Sequence, residues 1–82
     1  MLARRGLDPD LVFFALLHRG IARRDKGDLE GAINDYNDSI RLKPGFARTF
    51  LKRSIARRQK GDVKGAREDY NEAIRLGYTP TN

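Results

Sequence analysis

The chain repeats itself. Shifted by 34 residues, Arg19–Leu42 falls on Arg53–Leu76, and 16 of the 24 positions are identical. Ile21-Ala22-Arg23-Arg24 returns as Ile55-Ala56-Arg57-Arg58 and Lys26-Gly27-Asp28 as Lys60-Gly61-Asp62. Gly31-Ala32, Asp35-Tyr36-Asn37 and Ile40-Arg41-Leu42 return as Gly65-Ala66, Asp69-Tyr70-Asn71 and Ile74-Arg75-Leu76. Self-similarity at such a period marks a stack of supersecondary units, each too small to bury its own apolar face.

Each unit reads as two helices joined by a Gly-Asp turn. The apolar and small residues Leu16, Leu17, Gly20 and Ile21, then Leu29, Ala32, Ile33, Tyr36 and Ile40, recur at helical rather than strand spacing. Gly27 and Gly61 supply the left-handed residue that stops the first helix of a unit, and Asp28 and Asp62 cap the second. Asp8-Pro9 reads as an N-cap followed by proline in the first turn, and Lys43-Pro44-Gly45 closes the second helix. These signals predict helices over about 9–26, 29–42, 46–60 and 63–76. Gly31 and Gly65 fall inside helices, where glycine costs about 1 kcal/mol relative to alanine.

With these residues in view, the chain resembles two tetratricopeptide repeats, the 34-residue helix–turn–helix family. The matching residues are small Gly20 and Ser54, Ala32 and Ala66, aromatic Tyr36 and Tyr70, small Ser39 and Ala73, and Pro44. The resemblance implies an all-α fold, an α-solenoid of two repeats and about four helices. It divides the chain into an N-terminal extension over 1–12, repeat 1 over 13–46 and repeat 2 over 47–80. Three departures stand out. Leu16 and Phe50 replace a frequent tryptophan or tyrosine. Arg23 and Arg57 hold a position usually given to a packed aromatic, a contact that arginine stems can replace. Tyr78 stands where the second proline belongs. Tyr36 and Tyr70 are expected to fill the wedge between units, with their hydroxyls meeting a partner or water.

Composition closes off most chemistry. The 82 residues hold no cysteine and one histidine, His18, so thiolate zinc sites, disulfides, thiol nucleophiles and histidine metal cages cannot be built. No phosphate loop, dinucleotide fingerprint or nucleophile–base arrangement occurs. The expected protein is therefore no enzyme and carries no cofactor or metal. The longest apolar run, Leu11–Leu17, is far short of the roughly 20 residues of a membrane helix, and Asp8-Pro9-Asp10 interrupts the basic start Met1–Arg5 before any cleavage site. A cytoplasmic protein away from membranes is the default expectation. That same run is uncharged and β-competent, an aggregation hazard once unfolded.

The resemblance also implies where a partner binds, since the first helix of each unit lines a concave groove in this family. Carried over residue by residue, the groove positions are Phe14, Leu17, His18, Ile21 and Arg24, then Arg48, Leu51, Lys52, Ile55 and Arg58. Asp25 and Gln59 end the two rows. Phe14, Leu17, Ile21, Leu51 and Ile55 are expected as an apolar floor. Charge is lopsided. Residues 1–44 hold eight basic and seven acidic side chains, net +1, and residues 45–82 hold nine and four, net +5. Arg48, Lys52 and Arg58, at spacings of four and six, are expected to form one cationic face. The basic residues 48, 52, 53, 57 and 58 have no acidic neighbour four positions away on the same helix to neutralise them. An acidic protein or peptide is the expected partner.

Two alternatives stay open. Weak nucleic-acid binding is permitted by a net charge of +6, although only Phe46 and Phe50 accompany the basic stripe for base stacking. Self-association, giving a homo-oligomer, is the other. No polar capping helix follows Leu76, and the last helix would expose Val63, Tyr70 and Ile74. The pairs Asp35/Asp38 and Asp69/Glu72 are expected on the outer helix faces as solubilising charges.

Overall fold

A computed structural model describes residues 8–81; the basic start Met1–Arg5 lies outside them. Among the described residues the fold is all-α with no strand. Its four helices are α1 (Pro9–Asp25), α2 (Leu29–Leu42), α3 (Ala47–Lys60) and α4 (Val63–Arg75). α1 packs on α2 and α3 on α4, and α2 also packs on α3 to join the two hairpins.

Local chemistry sets the helix ends. The Asp8 side chain accepts from the Asp10 backbone N–H at 2.9 Å, and Pro9 opens the first turn of α1. At the other end Gly27 takes φ +90°, which lets the Gly27 N–H donate to the Arg24 carbonyl and the Asp28 N–H to that of Arg23. The Asp28 carboxylate then accepts from Gly31 N–H at 2.9 Å. One aspartate thus closes a helix with its backbone and opens the next with its side chain. Gly61-Asp62 repeats this, with φ +98° and a 2.9 Å bond from Gly65 N–H. The glycines at 31 and 65 also gain a reason. A Cβ at either would collide with the capping carboxylate, so the helix-propensity cost of glycine is the condition for the cap.

The α2–α3 connection is made differently. Lys43 leaves α2 at φ −138°, and Pro44-Gly45 leads to Phe46, which starts α3 without a side-chain cap. α3 therefore begins at Ala47, one residue later than the spacing suggests.

The core lies where the hairpins meet. Phe13 and Leu17 of α1, Ala32 and Tyr36 of α2 and Ala56 of α3 form it, with Ile21, Ile33 and Phe46 packed against it. Burying an aromatic of this size is worth about 1.5–3 kcal/mol, so Phe13 and Tyr36 dominate. Gly20 lets α1 approach α2 closely, because a Cβ there would sit 2.6 Å from Tyr36 Cε1. At the equivalent position Ser54 fits, its hydroxyl donating to the Ala66 carbonyl at 2.8 Å. Tyr36 fills its wedge completely, and its buried hydroxyl meets no protein partner. Its burial pushes the phenol pKa above the ordinary tyrosine value. Tyr70 is only half-buried and is met edge-on by Tyr78, with ring centroids 6.1 Å apart.

Candidate interaction groove

Two groups of charged residues stand out. In the first, a buried aspartate gathers two arginines from the neighbouring helix. Asp69 accepts from Arg53 Nε at 2.9 Å and Nη2 at 2.8 Å, and from Arg57 Nη1 at 2.9 Å. Asp35 holds Arg19 in the same two-bond fork at 3.0 and 2.8 Å, with Arg23 at 3.4 Å. This corrects two expectations. Asp35 and Asp69 do not solubilise an outer face; they are 2% and 3% exposed and tie the helices of each hairpin together. Arg53 and Arg57 are neutralised, by a residue 16 and 12 positions away rather than four. Arg23 and Arg57 replace the packed aromatic with an ion pair. Arg53 also donates to Asn37 at 2.8 Å, a bond from α3 back to α2 across the hairpin boundary.

Asp38 and Glu72 do remain at the surface, paired with Arg41 and Arg75 one turn on. Hydrogen bonding to Arg75 holds the Glu72 carboxyl below its ordinary value.

The second group is cationic and unpaired. Arg48, Lys52 and Arg58 pair with no carboxylate among the described residues. Arg48 and Lys52 rise beside Ala47 and Leu51 of α3, facing Leu76, Gly77 and Tyr78 at the end of α4. Together these residues line an open seat of about 430 Å³, apolar beneath and cationic along one side. Gly77 shapes its far wall. At φ +113° it allows Tyr78 N–H to reach the Ala73 carbonyl at 2.9 Å, turning the chain back toward Tyr70.

The remaining groove positions scatter. Arg58 is not part of the seat: six residues on from Lys52 is about 120° round the helix and 9 Å along it, so one face does not hold all three cations. Leu17 is 3% exposed and belongs to the core, not to a groove floor. Ile21 is half-buried against that core. Phe14 is 40% exposed and stacks edge-on with Phe13 and Phe46 at 4.9 and 6.0 Å. His18 is exposed, Arg24 pairs with exposed Asp25 at 3.3 Å, and Ile55 is half-buried. Sequence reasoning found Arg48, Leu51 and Lys52 but missed Ala47, Leu76, Gly77 and Tyr78. No sequence signal marks the far wall, because Gly77 turns at φ +113° where Lys43, 34 residues earlier, runs at −138°.

Among the described residues no helix is long and apolar enough to cross a membrane. No protein-family model matches the chain, and no curated protein matches it significantly.

Proposed function

We propose that this protein is a tetratricopeptide-type interaction scaffold that holds an acidic peptide against its basic second unit. The carrying observation is the sorting of cations on α3. Arg53 and Arg57 are consumed by Asp69, whereas Arg48 and Lys52 stand unpaired beside an apolar seat. A solvated charge run has no need of that arrangement. A ligand with carboxylates next to an apolar side chain satisfies both parts, since opposite charges give encounter rate and orientation while apolar burial gives affinity. The 34-residue duplication and its small and aromatic positions support the repeat-family reading.

Fluorescence anisotropy with a labelled peptide of interleaved glutamate and leucine tests this, against a twin in which glutamine replaces every glutamate. The acidic peptide should bind more tightly, weaken as salt rises, and be released by Arg48→Ala/Lys52→Ala while Arg75→Ala leaves it bound. Equal binding of the two peptides, or binding indifferent to the Arg48/Lys52 change, overturns the reading.

A further inference from the structure

The two ends of the described fold are the two halves of an interface that the molecule already makes once inside itself. Phe46, just before α3, packs against the core of the first hairpin, and α3 meets α2 on the side that carries Thr49 and Arg53, with Arg53 over the Phe50 ring. Thr49 is wholly buried, the Arg53 side chain is only 16% exposed, and Arg53 bonds Asn37 across the boundary. Moved back by 34 residues, this surface is Val12, Ala15, Leu16 and Arg19 on α1. Together with Leu11 those residues line an open apolar hollow of about 330 Å³. Their exposure measures what is absent: Ala15 is exposed where Thr49 is sealed, and the Arg19 side chain is 56% exposed where Arg53 is 16%.

The opposite half is equally open. α2 offers α3 a face that carries Asn37 and, one turn on, Ile40, both half-buried. The corresponding residues of α4, Asn71 and Ile74, are exposed, Ile74 at 42%, and Val63 is 60% exposed where Leu29 is half-buried. The pocket that receives Phe46 in the first unit, edge-on to Phe13 at 5.0 Å, has its counterpart in the open seat over Ala47 and Leu51. The chain end does not follow the path that leads into α3, because Gly77 turns at φ +113° where Lys43 runs extended at −138°.

We infer that copies of this chain stack head to tail, the α4 face of one molecule taking the α1 face of the next. The contact continues the α2·α3 interface: Val12 enters the seat, Ala15 and Leu16 cover Ile74, and Arg19 reaches Asn71 as Arg53 reaches Asn37. Such a contact is heterologous, using different surfaces on the two partners, so it propagates rather than closing a two-fold dimer. The occupant is a second copy because the α1 face lies, position for position, 34 residues before the surface that α3 presents to α2, so one interface is continued. Each copy carries +6. Salt, by screening that repulsion, should strengthen the stack, opposite to its effect on an acidic ligand, which competes with Val12 for the same seat.

Sedimentation velocity across protein concentration and salt tests this with two surface variants that leave the lone fold intact, as far-UV circular dichroism would verify. Ala15→Glu blocks the α1 face and Ile74→Glu the α4 face. The wild type should grow in mass with concentration and more so at high salt, while each variant alone should raise the half-association concentration roughly tenfold or more. An equimolar mixture of the two variants retains one good face of each kind and should give a 1:1 dimer that grows no further. A wild type that stays monomeric throughout overturns the inference, as does association that survives Ala15→Glu or a mixture that stays monomeric.

Discussion

Replacing Asp69 by asparagine keeps the shape of the side chain and removes its charge. The Asp69 side chain is 4% exposed and accepts three bonds, from Arg53 and Arg57, whose side chains are 16% and 26% exposed. Charge-assisted bonds contribute about 1.5–3 kcal/mol each and are not additive. An amide retains one acceptor but turns its NH2 toward a guanidinium. Little water reaches the orphaned cations, so the loss belongs near the lower end of the 3–5 kcal/mol typical of a broken buried pair, at about 3 kcal/mol. A chain of this length has roughly 4–12 kcal/mol in total, and the melting temperature should fall by roughly 12–24 °C.

The duplication supplies the control. Asp35→Asn makes the same change at the equivalent helix position, so propensity effects cancel. There Arg19 and Arg23 are 56% and 38% exposed, and water takes over much of what the carboxylate gave. Urea unfolding followed by circular dichroism should rank Asp69→Asn well above Asp35→Asn. Equal losses, or an Asp69→Asn loss below about 1 kcal/mol, would refute the argument that solvent access sets the strength of these forks.

Gly65→Ala should fail to deliver the gain of about 1 kcal/mol that helix propensity promises, because its Cβ displaces the Asp62 cap; in an Asp62→Ala background the gain should reappear, which denaturant titration of the four variants measures. Burial raises the Tyr36 pKa, so the unfolded chain loses that proton first. Stability from this group is complete below the ordinary tyrosine range near pH 10, and is lost as pH rises through the folded value. Tyr36→Phe should remove that alkaline loss in unfolding curves. Tyr36→Ala, at a position of zero exposure, should cost about 3–5 kcal/mol and release Leu11–Leu17 to aggregate, read by thioflavin fluorescence; an unfolded yet soluble, thioflavin-negative variant would contradict it.

The helices were legible because their ends are chemical. Asp8-Pro9 and the two Gly-Asp pairs act within a few residues of one another, the range over which a linear pattern speaks. The arginine–aspartate forks act over 12 and 16 residues, across two helices, and a search at helical spacing passes over them. The duplication did hold a clue, since Arg19/Arg53, Arg23/Arg57 and Asp35/Asp69 are identical while Glu30 becomes Lys64 and Asn34 becomes Glu68. In the candidate site, Arg48, Leu51 and Lys52 were visible from their place on α3. Leu17 was misplaced because the groove positions were carried over from the resemblance, which assigns a residue to a helix face but not the neighbour that covers it. The seat's far wall was hidden because it depends on the backbone turn at Gly77.

The two kinds of connection give the molecule an uneven compliance. Within each hairpin, a glycine and an aspartate bonded through both its backbone and its side chain fix the path between helices. Between hairpins, the stretch from Lys43 to Phe46 has no side-chain cap and turns about a knuckle of three rings, Phe13, Phe14 and Phe46, set edge to face. Any change in the angle between the hairpins has to be taken up in this uncapped stretch, because both Gly-Asp turns are closed by backbone and side-chain bonds.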